Sequence, residues 1–327
     1  MGRKRIIVIS FILVIAVSLA SCSDEKNSES RKTILNLPDE SFIITDLEYS
    51  QEKGLQVSGF TKAGPHSMTV SVWNYKDNGK WEQEFQKDFS CNPERKIEGQ
   101  IYWSSNVGVI IPYTWTSDDT NSGELKEEYY YINTNGDPEK LRTKGLSGIS
   151  NMVFTNKDEA YWRNFEKGSL KKWNFQQGTT PEEIKLAEVN LVNRIAYADD
   201  CLYILGFEGD AALYDVKKEQ EIPCTENLMT LSEELFATDD IGGNEFAFVP
   251  YADEDQHEIL YYIDNTGLWE YRDGKKTKLL DGIEEEFGEK TYFIDIVVKD
   301  EKTIFIALLR SDNGILTEDL WQYDLNQ

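Results

Sequence analysis

Leu268-Trp269-Glu270-Tyr271, then Asp273-Gly274, then Lys275-Lys276-Thr277-Lys278-Leu279-Leu280 is the stretch whose reading decides the fold. Trp269 and Tyr271 are two apart, so in an extended chain they lie on one face, the period-2 signature of a packed strand. Asp-Gly tolerates positive φ and reverses the chain. The charged run after it reads as a second strand with one side in water. The aromatic step recurs as Val72-Trp73-Asn74-Tyr75, Tyr130-Tyr131-Ile132-Asn133, Lys172-Trp173-Asn174-Phe175, Leu213-Tyr214-Asp215-Val216 and Leu320-Trp321-Gln322-Tyr323. Turn residues come after most copies: Asp77-Asn78-Gly79, Asn135-Gly136-Asp137 and Gln177-Gly178. Charged strands then appear at Glu139-Lys140-Leu141-Arg142 and Glu183-Ile184-Lys185-Leu186.

Two apolar strands precede the aromatic one, most clearly Arg194–Ala198 with Leu202–Phe207 and Phe293–Val298 with Thr303–Leu309. The unit is therefore four antiparallel strands, and its six copies start about 40–60 residues apart. The sixth copy stops at Gln327, straight after its aromatic strand, and so lacks a charged outer strand. Lys32-Thr33-Ile34-Leu35-Asn36-Leu37 stands unclaimed before the first unit. Pairing the two leaves no sheet edge exposed. The expected fold is all-β: a β-propeller of about six four-stranded blades over residues 32–327, its ring closed by an N-terminal strand. Seven blades remain an alternative because the fourth and fifth units differ in length. A set of hairpins in a non-circular fold is the other reading of the same strands.

In architecture the chain resembles the six-bladed, TolB-like superfamily of exported propellers. The signatures of that group are not repeated here. No Trp-Ser-Pro-Asp-Gly turn recurs, and Tyr161-Trp162-Arg163-Asn164 is the one near match to a Tyr-Trp-Thr-Asp repeat. The resemblance therefore implies a fold and carries over no functional residue.

The first 22 residues read as three zones. Arg3, Lys4 and Arg5 make a cationic start, Ile6–Ala16 is almost continuously apolar, and Leu19-Ala20-Ser21-Cys22 places small residues just before a cysteine. The apolar run is shorter than the roughly 20 residues of a spanning helix. The tetrad resembles the lipobox of bacterial lipoproteins, which implies that Cys22 is lipidated and the signal peptide before it removed. Ser23–Arg31 is polar and small, and reads as a flexible tether. The expected location is the cell membrane, lipid-anchored on its extracytoplasmic face.

The formal net charge is -25, and removal of the cationic leader makes it more negative. Such a field repels a phosphate backbone, so nucleic acid is excluded as a partner. It also opposes adhesion to anionic headgroups, which leaves the lipid as the membrane contact. After Cys22, three cysteines remain: Cys91, Cys201 and Cys224. Cys201 and Cys224 are spaced to pair within one unit, and buried free thiols are the alternative. No zinc-ligand spacing is present, and His66 and His257 are the two imidazoles.

On this blade plan Lys62–Ser67, Thr116–Glu124, Glu166–Ser169, Ala252–Glu258 and Ser311–Glu318 join second to third strands or one blade to the next. They should gather on one face around the central channel, where binding residues are usual. The candidate ligand face is Asp118 and Asp119 in the first acidic loop, with Asp253, Asp255 and His257 in the second. Both loops offer side-chain oxygens to Ca²⁺, although neither has the spacing of a calcium loop. No other cofactor and no catalytic residue is expected, since a Gly-x-Ser-x-Gly elbow and a glycine-rich phosphate loop are both missing. Trp103, Trp115 and Trp162 stand outside the repeated aromatic position and are expected as wedges between blades rather than stacking platforms. The function these readings favour is a binding or protein-interaction module for an extracellular protein, peptide or glycan. A secreted polysaccharide hydrolase or lyase with a carboxylate site at the channel mouth is the second reading. An importer's binding lipoprotein needs long helices that the sequence does not offer.

Overall fold

Tight polar turns and alternating aromatic strands make four-stranded antiparallel sheets, and the chain forms six of them in succession. The computed structural model describes residues 32–64, 67–90, 101–105, 107–116, 125–133, 136–141, 145–155, 159–174, 180–237, 246–253, 255–264, 266–281, 291–312 and 315–325. Blade 1 is β2 (Phe42–Ser50), β3 (Gly54–Gly64), β4 (Ser67–Tyr75) and β5 (Trp81–Ser90). Blade 2 is β6 (Tyr102–Ser104), β7 (Gly108–Thr116), β8 (Leu125–Ile132) and β9 (Glu139–Leu141). Blade 3 is β10 (Ile149–Phe154), β11 (Glu159–Asn164), β12 (Ser169–Asn174) and β13 (Glu182–Ile184). Blade 4 is β14 (Val192–Ala198), β15 (Cys201–Gly206), β16 (Ala211–Asp215) and β17 (Gln220–Ile222). Blade 5 is β18 (Ala247–Ala252), β19 (Glu258–Asp264), β20 (Gly267–Arg272) and β21 (Lys275–Asp281). Blade 6 is β22 (Thr291–Asp300), β23 (Thr303–Asp312) and β24 (Ile315–Asp324), completed by β1 (Lys32–Ile34) from the other end of the chain. The blade number is six rather than seven.

Closure uses the expected pairing. β1 runs antiparallel to β24 with Lys32 opposite Tyr323, Thr33 opposite Gln322 and Ile34 opposite Trp321. The Leu35 N–H continues the ladder to the Leu320 carbonyl at 2.8 Å, and its side chain is buried. Lys32 also sets its ammonium over the Trp321 ring, 4.7 Å from the centroid.

The core is divided among six seams, one between each pair of neighbouring blades. The repeated aromatic strand explains why. Its alternate residues go to opposite faces, so each third strand feeds two seams. On β20, Leu268 packs into the seam with blade 6, while Trp269 and Tyr271 pack into the seam with blade 4. On β24, Leu320 faces blade 1, and Trp321 and Tyr323 face blade 5. Trp103 and Trp162 are buried in the seams between blades 1 and 2 and between blades 2 and 3, as wedges. The side chain of Trp115 lies outside the described residues.

One helix, α1 (Glu226–Ala237), has no counterpart among the expected elements. Thr225 caps it, accepting the Leu228 N–H on Oγ1 at 3.2 Å. Leu228 and Leu231, three apart, go into the seam between blades 4 and 5 beside Phe246 and Tyr271. Its amphipathic stripe is short, and the strand rhythm on both sides masks it. Cys201 and Cys224 are both free thiols, which settles the open pairing against a disulfide. Cys224 points its Sγ at the Ala211 carbonyl, 3.4 Å away. Cys22, with the signal and tether, and Cys91 lie outside the described residues.

The closing strand contributes a buried Leu35 and a short ladder, together worth a few kcal/mol. Deleting residues 32–37 is expected to lower the thermal midpoint by about 5–10 °C in one cooperative transition. An unchanged midpoint in a calorimetric scan would show that the ring does not depend on this strand.

Candidate functional site

The innermost strands β2, β6, β10, β14, β18 and β22 surround a central channel of about 360 Å³. Four of them carry a register shift at the same place. The extra residue is Thr45 on β2, Asn151 on β10, Asn193 on β14 and Ile294 on β22. A bulge breaks the in–out alternation and redirects the next side chains along the strand. Asp46, Arg194 and Asp295 come directly after three of these bulges, and all three line the channel. Gly59 on β3 lets β2 approach closely: a Cβ there would sit 2.0 Å from the Ile43 carbonyl oxygen.

The bulges also release backbone donors, which the neighbouring blade then accepts. Asp295 takes the Leu47 N–H on Oδ2 at 2.9 Å, across the seam between blades 6 and 1. Asn151 takes the Ile195 N–H across the seam between blades 3 and 4. Glu318 on β24 takes the Ile44 N–H. These bonds key neighbouring blades to one another.

Asp46 and Asp295 meet in the channel as a hydrogen-bonded carboxyl pair. Burial, reinforced by the charge of Asp295, pushes Asp46 well above the usual carboxylate range. Burial raises Asp295 too, but the Leu47 and Ile296 N–H groups, the Asp46 hydroxyl and the Arg194 charge favour its ionised form. Burial thus favours a proton shared within the pair, with Asp46 the more strongly raised of the two. Burial raises Glu48 further along β2, and lifts Glu318 to about 7. On the opposite wall stand Arg163, Asn193 and Arg194. Burial pulls both guanidinium groups below their ordinary value.

The candidate residues from the sequence stand elsewhere. Asp253, Asp255 and His257 form the turn between β18 and β19, which are first and second strands of blade 5. That turn is at the opposite end of the ring from those joining second to third strands, so the placement of Ala252–Glu258 on the loop-rich face is corrected. The cause is the long connection holding α1, which hid where blade 5 begins. Asp253 is occupied with the turn itself. Its Oδ1 accepts the His257 and Asp255 N–H groups at 2.8 and 3.0 Å, and its Oδ2 meets Arg272 at 3.2 Å. The His257 N–H leads in holding its carboxyl below the ordinary range. An oxygen set consumed by N–H donors and a guanidinium is a poor cradle for Ca²⁺. Asp118 and Asp119 lie outside the described residues.

The loop-rich end carries a different feature. Phe165 in the β11–β12 turn, Leu191 before β14 and Phe207 in the β15–β16 turn are 39%, 41% and 40% exposed. They are neighbours: the Phe207 N–H bonds the Leu191 carbonyl at 2.9 Å, and the Val192 N–H bonds the Gly168 carbonyl at 2.6 Å. The Phe207 ring lies 4.8 Å from Cζ of Arg163, which joins this patch to the channel wall. Tyr292, 40% exposed, opens β22 at the same end.

The class defined by this architecture is the six-bladed β-propeller. No protein-family model matches the sequence, and no curated protein matches it. Among solved structures the chain is similar to virginiamycin B lyase from Staphylococcus aureus, at 11% identity, over 88% of this chain and 87% of that one, with a TM-score of 0.46. It is similar to YCF48 from Cyanidioschyzon merolae at 11% identity, over 91% and 100% of the two chains, with a TM-score of 0.43. BamB from Moraxella catarrhalis matches at 10% identity, over 86% of each chain, with a TM-score of 0.39. The likeness is one of ring architecture, and no residue role is carried across it.

Because both channel carboxyls have folded values above their unfolded 3.8, they favour the native state most at low pH and lose that contribution as pH rises. Glu318 adds a loss between its ordinary 4.5 and about 7. Asp46→Asn keeps a donor to Asp295 and cannot ionise. The variant is expected to lose less thermal midpoint than the parent between about pH 5 and about pH 8. Parallel slopes for the two proteins would refute the upward shift of Asp46.

Proposed function

We propose that the protein is a lipid-anchored, extracytoplasmic interaction module that binds a protein or peptide partner at the loop-rich end of its propeller. The observation that carries this reading is the apolar set of Phe165, Leu191 and Phe207 on adjacent turns of blades 3 and 4 at the loop-rich end. In a chain of net charge -25, three large apolar side chains on adjacent, hydrogen-bonded turns are the surface that gains most from being covered. Turns anchored to rigid strands hold those side chains in place before a partner arrives, which lowers the ordering cost of binding.

The hydrolase reading fares worse on the channel chemistry. Two-carboxylate glycoside cleavage places its groups about 5–10 Å apart with the sugar between them. Asp46 and Asp295 are instead bonded to each other, and Asp295 also holds the Leu47 backbone across the blade seam. That arrangement fits a strut between blades.

Two experiments test the two halves of the reading. A photoreactive amino acid placed at position 165 or 191 in living cells should give a discrete cross-linked protein species, while one at exposed Lys217, in the turn between β16 and β17 at the other end, should not. Equal labelling at both ends, or none at 165 and 191, would contradict the proposed face. For the anchor, Cys22→Ala is expected to abolish lipid labelling and leave unprocessed or released protein. Continued labelling of that variant would remove the lipoprotein reading.

A further inference from the structure

Arg163 and Arg194 are two guanidinium groups in the channel wall for which the described residues supply neither a hydrogen bond nor an ion pair. Nε of each is buried without a hydrogen bond, and neither side chain has an ion pair among the described residues. Both side chains are half-buried, and a buried donor left without an acceptor is costly, so a structural arginine is normally met by a carboxylate or carbonyl. Asn193, between them in the wall, likewise has a buried Oδ1 without a partner.

Both groups lie over an aromatic ring. Cζ of Arg163 lies 4.8 Å from the Phe207 ring and Cζ of Arg194 lies 5.3 Å from the Phe246 ring. Stacking on an aromatic face uses the plane of the guanidinium and leaves its N–H edge available to a planar oxyanion, which it can grip with two parallel bonds.

The charges on the wall also set the charge of what is missing. Asp295 is the anion that favours the charged form of Arg194, yet it already receives the Leu47 N–H, the Ile296 N–H and the Asp46 hydroxyl. Asp46 and Glu48 line the channel too, and burial raises both, but neither they nor Asp295 forms an ion pair with either guanidinium among the described residues. A monoanionic carboxylate would answer the two guanidinium groups while adding less charge to an already acidic protein than a phosphate dianion.

We propose that the channel mouth between blades 3 and 4 is an organic-anion site, in which a carboxylate lies between the guanidinium groups of Arg163 and Arg194 while its apolar body rests on Phe165, Leu191 and Phe207. The inference deepens the interaction-module reading by naming the chemistry of the group recognised. The carboxylate has two sources, a small free acid or the C-terminal end of a peptide, and both present the same group to the same arginines.

Isothermal titration of the purified protein with 4-phenylbutyrate, with its uncharged amide, and with Ala-Leu-Phe as free acid and as C-terminal amide separates the cases. At least one acid is expected to bind with a Kd of about 1 mM or tighter, and its amide at least about tenfold more weakly. Arg163→Gln and Arg194→Gln should each weaken the acid about tenfold without lowering the thermal midpoint, because neither guanidinium makes a hydrogen bond or ion pair among the described residues whose loss would cost stability. Arg194→Lys keeps the charge without the fork and should fall between parent and Gln variant. Which acid binds identifies the source. Equal binding of acid and amide, no binding of either acid at about 10 mM, or a midpoint that falls with both Gln variants would overturn the proposal. The outcomes are independent of the cross-linking: cross-links at 165 and 191 with no anion preference leave the module standing and remove the anion site, and the reverse result does the opposite.

Discussion

A ring of blades depends on its last seam, and here that seam is held by a three-residue ladder between the two ends of the chain. β1 pairs with β24, Leu35 adds one more backbone bond, and its side chain enters the core between blades 6 and 1. Joining ends so distant in sequence costs little more than a shorter closure, since loop entropy grows only logarithmically. What closure brings is large by comparison: it seals the last apolar face and removes both open sheet edges. The same seam contains the Asp295–Leu47 bond and the Asp46–Asp295 pair, so the polar half of the channel exists only in the closed ring.

The two ends of the ring differ in chemistry. At one end Asp253, Arg272 and Glu301 form a chain of ion pairs that fixes turns of blades 5 and 6. Such pairs tie neighbouring blades and leave no donor or acceptor to spare. At the other end the exposed large apolar side chains include Phe165, Leu191, Phe207 and Tyr292, and Arg163 and Arg194 stand in the adjoining channel wall. A strongly acidic chain discourages general adhesion of anions, and the two channel-wall guanidinium groups offer them one place. Inner-strand bulges make this possible by turning polar side chains inward where an unbroken strand would alternate.

The fold was legible because its signal repeats. Trp73, Trp173, Trp269 and Trp321 share one position in blades 1, 3, 5 and 6, and each is explained by the seam it fills. The orphan strand at Lys32 was legible for the same reason: the last unit lacked what the first end had to spare. The site was not, because its residues do not repeat. Asp46, Arg194 and Asp295 occupy equivalent places in three blades with different side chains, and each looks like a polar interruption of an apolar strand. Ile43-Ile44-Thr45-Asp46-Leu47 and Phe293-Ile294-Asp295-Ile296 did carry a hint, since a charge inside an apolar run breaks the period of two. The acidic loop at Asp253 drew attention by composition alone, and composition does not distinguish an oxygen that awaits a ligand from one that holds its own turn.

Amide hydrogen exchange at Leu35 and Leu47 addresses the closed ring most directly. Leu35 donates across the closing ladder and Leu47 donates to Asp295 across the same seam. If closure is part of the cooperative fold, both amides exchange only through global unfolding and show the same protection as the blade 4 core amides at Leu202 and Ile204. Fast exchange at Leu35 and Leu47 while blade 4 stays protected would mean that the ring opens locally, and that the central channel is not a fixed feature of the protein.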